Sequence, residues 1–126
     1  MREIEFRIRY RDKSWFYGVP ITKIKNDTVG FQSFDNSYYD LFADATTLGQ
    51  YTELTDKNGT KIFEGDFIKA KHNTNLYNVY WNEGRFYIED VWGNLIKPTQ
   101  TAINHFECEV VGNIYDNPEL IGDNNG

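Results

Sequence analysis

Few residues in this chain have the type and spacing to do chemistry. His105 and Cys108 form a His-x-x-Cys pair that could offer two zinc ligands, but a structural zinc site needs four, and the only other histidine is His72. The pair therefore reads as a core cysteine beside a packing or surface histidine. Ser14, Ser33 and Ser37 lie in polar stretches without a Gly-x-Ser-x-Gly elbow, and any triad would have to recruit one of the 2 histidines. No glycine loop of the phosphate-cradling kind is present. Glu64 with Asp66, or Glu89 with Asp90, could work as an acid–base pair only if an apolar pocket raised one of the two pKa values, and carboxylates on turns are usually solvated. The sequence thus predicts a non-enzyme with no cofactor and no bound metal.

The remaining candidate is a row of cations. Arg7, Arg9 and Arg11 alternate along one face of a short segment, where they could neutralise phosphates while Trp15 and Tyr17 from a neighbouring strand offer stacking surfaces. The competing expectation is a solvated or edge-guarding face, or a row that pairs with the acidic half of another subunit. That acidic half is real. The chain carries a net charge of -6, and all of the excess falls in residues 64–126, whereas residues 1–25 are net basic. Overall acidity argues against non-specific affinity for nucleic acid but leaves room for a local basic face.

These residues have to be positioned by β-structure. The 126 residues match one domain with one core, and an aromatic content of 17% supplies large apolar groups to fill it. A single cysteine rules out an internal disulfide and fits a reducing compartment. No apolar run approaches the roughly 20 residues of a membrane span, and the charged, alternating start reads as unexported.

Along residues 3–11, Ile4, Phe6, Ile8 and Tyr10 should face a core while Glu5, Arg7, Arg9 and Arg11 face water. Trp15-Phe16-Tyr17 and Val29-Gly30-Phe31 are further short strands. Residues 37–45 are ambiguous: Ser37 with Asp40 resembles a capping box, and Tyr38, Leu41 and Phe42 could form a helical stripe. Asp56-Lys57-Asn58-Gly59 is the strongest local signal, because Asn-Gly tolerates the positive φ of a type I′ hairpin turn; residues 50–55 and 60–63 would be its arms. Glu64-Gly65-Asp66 then turns the chain into residues 67–70. Residues 76–81 and 85–91 read as a hairpin closed at Asn82-Glu83-Gly84, followed by a turn at Trp92-Gly93-Asn94. Residues 107–115 form the last strand, in which Gly112 suggests a bulge or close approach. Asn117 and Pro118 then end it by capping one helical turn.

The expected fold is mainly β (a β-rich α+β fold), with antiparallel hairpins, an SH3-like small barrel in the second half and one or two short helical turns. One domain covers residues 1–122, with a β lobe at 1–48, a barrel-like lobe at 49–122 and a polar tail at 123–126.

The stretch from Gln50 through Asp56, Asn58, Gly59 and Gly65 to Asp66 closely resembles the hallmark segment of the YopX family of bacteriophage and prophage proteins. Glu109 to Leu120 resembles that family's closing segment, and Met1 to Arg7 its opening. Glu53 departs from the pattern, which commonly has Gly there, and a hairpin arm accepts Glu where φ is negative. The resemblance implies phage or prophage encoding, residence in the bacterial cytoplasm and a homo-oligomer; it brings no catalytic residues to carry over. Turn chemistry alone explains Asp56, Asn58, Gly59, Gly65, Asp66, Gly112 and Pro118.

The leading functional expectation is a non-enzymatic accessory protein that self-assembles and binds a host or phage protein through its aromatic groups. The alternative is a single-stranded nucleic-acid-binding module that uses the Arg7, Arg9 and Arg11 face and exposed aromatics. No membrane partner is expected.

Overall fold

The computed structural model describes residues 4–9, 14–25, 28–34, 39–71 and 75–122. Arg11, Ser37, Tyr38 and His72, together with the 123–126 tail, lie outside the described residues. The strands are β1 (Phe6–Arg9), β2 (Trp15–Lys25), β3 (Thr28–Ser33), β4 (Tyr39–Asp44), β5 (Gly49–Thr55), β6 (Lys61–Phe63), β7 (Asp66–Lys69), β8 (Leu76–Asn82), β9 (Arg85–Glu89), β10 (Leu95–Ile96) and β11 (Glu109–Asn113). Two short helices, α1 (Gln100–His105) and α2 (Glu119–Gly122), complete the secondary structure with a 3-10 turn at Ala45–Thr47. The protein is mainly β, and the pairings within both of its sheets are antiparallel. The chain divides into two compact units, residues 1–51 and 52–126.

In the first unit the strands run in the order β4-β3-β2-β1-β5. Ile8, Val29 and Phe31 are its buried apolar residues, with Phe6, Phe16 and Leu48 packed against them. The ambiguous 37–45 stretch is a strand from Tyr39, not a helix: β4 pairs with β3 in the register Val29↔Ala43, which completes the hydrogen bonding of β3.

The expected wet face of β1 is corrected. Ile4 is 57% exposed, whereas Glu5 is 7% and Arg7 is 6% exposed. β1 is an inner strand, paired to both β2 and β5, and the adjacent Arg7 and Ile8, which point to opposite faces, are both buried, so both of its faces are covered. The Arg7 guanidinium packs on Trp15, 4.6 Å from the ring centroid.

In the second unit β7 to β10 form a meander, and β11 returns beside β7, giving the order β10-β9-β8-β7-β11. This arrangement is compatible with a small barrel. Its core is Ile62, Ile68, Ala70, Val79, Ile88, Ile103 and Cys108. Alternation along the β8–β9 hairpin explains the inner members: Val79 pairs with Ile88 and points inward, and one step further out Trp81 pairs with Phe86.

Sequence alone did not reach α1. Its signal is local but weak: Pro98 precedes Thr99, whose Oγ1 accepts the Ala102 N–H at 3.1 Å as an N-cap. The helix then buries a single residue, Ile103.

Candidate functional site

The segment around Asp56 is a hairpin turn, though not of the expected type. Gly59 N–H donates to the Asp56 carbonyl at 3.0 Å and Asp56 N–H donates to the Thr60 carbonyl at 2.8 Å. Gly59 has φ of 82°, while Asn58 keeps a negative φ. This is a type I turn closed by a glycine bulge, not a type I′ turn. The Asp56 side chain selects it: Oδ1 accepts from Asn58 N (2.8 Å) and Thr60 N (2.9 Å), tying the backbone into the tighter form.

The same device recurs at Asp90, whose Oδ1 accepts from Trp92 N and Asn94 N, both at 2.9 Å, with Gly93 at φ 85°. Burial works to raise the Asp90 pKa, but hydrogen bonds from the Asn94 side chain and from the Asn94, Trp92 and Gly93 backbone outweigh it and hold the carboxyl below its usual range. The type I′ turn sits instead at Glu83-Gly84, where φ is 48° and 88° between the paired Asn82 and Arg85.

Glu53 is also corrected. It has φ of 71°, so it occupies a left-handed position inside β5. The Thr52 hydroxyl bridges the irregularity, accepting from Leu54 N at 3.1 Å and donating to the Ile62 carbonyl at 2.8 Å.

The two hallmark segments meet in space. Asp56 Oδ2 accepts from Val110 N at 2.9 Å, across 54 residues of chain. Lys57 N–H donates to the Cys108 carbonyl at 2.9 Å, and Lys57 Nζ lies 3.1 Å from Glu109. Gly65, at φ 93°, donates to the Val79 carbonyl and accepts from Ile114 N. Asp66, 2% exposed, accepts from Phe63 N at 2.7 Å.

Gly112 meets both of its expected demands. The β7–β11 register slips between Val110 and Gly112, and a Cβ at Gly112 would stand 2.5 Å from Asn117 Oδ1. Asn117 turns its side chain back onto the strand, accepting from Asn113 N at 3.1 Å, instead of capping forward as expected; its carbonyl receives Leu120 N around Pro118. These residues form a scaffold in which Asp56 and Asp66 accept hydrogen bonds from backbone amides.

The other candidates disperse. His105 is exposed at the end of α1, edge-on to Phe106, while Cys108 is buried, its thiol pKa pushed up by that burial. Among the described residues no group of three or more His, Cys, Asp or Glu is placed to hold a metal. Ser33 is buried and Ser14 half-buried. Of the cation row, Arg7 is covered, Arg9 and Trp15 are half-buried, and Tyr17 is 44% exposed. Arg9 N–H donates to Thr47 Oγ1 at 3.0 Å. No described helix is long and apolar enough to cross a membrane.

The second unit leaves several large apolar side chains in the open. Trp92 is 72% exposed, and Val91, Leu95, Ile96, Phe106 and the outer Trp81 are all exposed as well. Leu95 and Ile96 constitute β10, the edge strand of its sheet, which among the described residues pairs with β9 alone.

A search of solved structures finds the crystal structure of protein EF1440 from Enterococcus faecalis. It is similar at a TM-score of 0.66 and 23% identity, over 96% of this chain and 99% of that one. The likeness extends to the fold. A search of curated proteins finds no match. The family model described as "YopX protein" matches residues 5–122, including both hallmark segments and the scaffold they build together. The chain belongs to the YopX family.

Proposed function

We propose that this chain is a phage or prophage accessory protein of the bacterial cytoplasm that acts as a non-enzymatic, self-assembling protein-interaction module. The observation that carries the proposal is the exposed apolar edge of the second unit, where Val91 and Trp92 stand beside the edge strand β10 with both Leu95 and Ile96 facing solvent. A two-residue edge strand with apolar side chains and open backbone groups is suited to pairing with another strand. Burying a tryptophan removes roughly 150–250 Å² from water, worth on the order of 4–6 kcal/mol before the costs of association. Aromatic anchors of this size dominate protein interfaces.

Support is also negative in kind for the alternative. Nucleic-acid binding through the arginine row required Arg7 at the surface, and its side chain lies under Trp15. That reading is therefore not carried further.

Light scattering tests the proposal. The wild-type chain is expected to run as an oligomer, and the double variant Trp92→Ser, Leu95→Lys as a monomer with an unchanged circular dichroism spectrum. A wild-type mass equal to one chain at every concentration up to the millimolar range would refute self-assembly.

A further inference from the structure

Beside the core of the second unit lies a cavity of about 120 Å³ that shares Ile96 and Phe106 with the exposed apolar surface. Its inner wall is made of core residues, Ile88, Ile103 and Cys108, and its outer wall includes Ile96, Lys97 and Phe106. Little in that wall can hold water. Pro98 has no N–H to offer, and the Tyr77 hydroxyl, which accepts from the Asn75 side chain at 3.4 Å, is a single polar group. A resident water needs about two to four polar partners, so a hole of this composition favours an apolar guest.

Such a space would normally close by a small shift of the helix toward the sheet. Here α1 is tied at both ends by polar bonds. The Gln100 amide clamps the Thr55 backbone twice, accepting from its N–H at 2.9 Å and donating to its carbonyl at 2.7 Å. At the other end, Lys71 N–H donates to the Phe106 carbonyl at 3.2 Å and Cys108 N–H to the Ile103 carbonyl at 3.0 Å. Collapse would break these bonds, so the cavity is held open without a guest.

We propose that this cavity is a binding site for a small uncharged aromatic ring. An apolar cavity of about 150 Å³ in a protein core takes up benzene, and a space of about 120 Å³ that opens at one side offers comparable room. Lys97 is the one charged residue among the described lining residues, and it is exposed. A solvated ammonium adds little to affinity, so burial of the ring, and not charge pairing, selects the guest.

Titration with benzene, read by the methyl spectrum of a chain labelled at isoleucine, tests the site directly. Shifts are expected at Ile88, Ile96 and Ile103 and nowhere else, and they should vanish in Ala102→Leu, whose added side chain would fill the space. The sole cysteine provides a second measurement that needs no variant: benzene should slow modification of Cys108 by methyl methanethiosulfonate several-fold. The site would be overturned by unchanged isoleucine methyls at saturating benzene, or by an unchanged Cys108 rate. Benzoate binding more tightly than benzene, with the difference lost in Lys97→Ala, would overturn the assignment to an uncharged ring.

Discussion

Replacing Asp56 by alanine should cost the protein roughly 4 kcal/mol, a large loss for a single turn residue. Asp56 is 5% exposed, and its carboxylate accepts three backbone N–H groups, from Asn58, Thr60 and Val110. The first two belong to exposed residues, so water can replace the lost acceptor there at about 1 kcal/mol each. Val110 is half-buried in β11 and would be left with a poorly solvated donor, adding about 2 kcal/mol. Asp56→Asn retains one oxygen, which cannot serve both sides of the side chain, and should cost about half as much. Asp90→Ala is the internal control: the same turn, with the same two Oδ1 bonds, but none across the chain to a distant strand. It should be much milder. Urea unfolding of the three variants measures the series, with an unchanged m-value showing that stability and not denatured-state compactness has altered. Equal losses in Asp56→Ala and Asp90→Ala would refute the claim that the bond to Val110 carries the difference.

Glu53→Gly should stabilise the chain by about 0.5–1 kcal/mol, because relief at φ 71° exceeds the flexibility that glycine adds to the unfolded state; a lower melting temperature would show that the Glu53 side chain outweighs its backbone. Gly112→Ala should destabilise by about 2 kcal/mol or more, since its Cβ would meet Asn117 Oδ1 at 2.5 Å. A double-mutant cycle with Asn117→Ala should recover part of that loss, and strict additivity would exclude the clash. Cys108 is held protonated by burial, so its folded pKa lies above its unfolded value. The folded state then binds the extra proton, and the contribution is full below the ordinary thiol pKa and lost as pH rises through the folded one. Wild-type stability should therefore fall relative to Cys108→Ala in mildly alkaline buffer, and parallel pH profiles would contradict it.

How much of this was legible in the sequence follows from the range of the interactions. The arms around Asn58-Gly59 and the β8–β9 hairpin are set by alternation and turn residues within a few positions, and both are where the pattern places them. The turn at Asn58-Gly59 differs in type because Asn-Gly is compatible with two geometries, and the deciding contacts come from the Asp56 carboxylate two and four residues away. The Asp-x-x-Gly spacing that Asp56 and Asp90 share was the readable clue. The coverage of Glu5 and Arg7 was not readable, since it depends on tertiary contacts such as the packing of Arg7 on the Trp15 ring of the neighbouring strand. Nor was the cavity, whose walls combine Ala70, Ile88, Ile96 and Phe106, each ordinary in its own segment.

The family's hallmark residues gain a physical meaning from the way the two segments meet. Asp56 reaches Val110, Lys57 reaches Cys108 and Glu109, and Gly65 receives Ile114, so the first segment is the template on which the closing strand is fixed. The Asp56 carboxylate is engaged by three backbone amides, two in its own turn and one in β11, so its place in the first segment is accounted for by turn and strand geometry. Groups outside this network with apolar surface facing solvent include Trp92, Leu95, Ile96 and Phe106, and the proposed interaction surface draws on them.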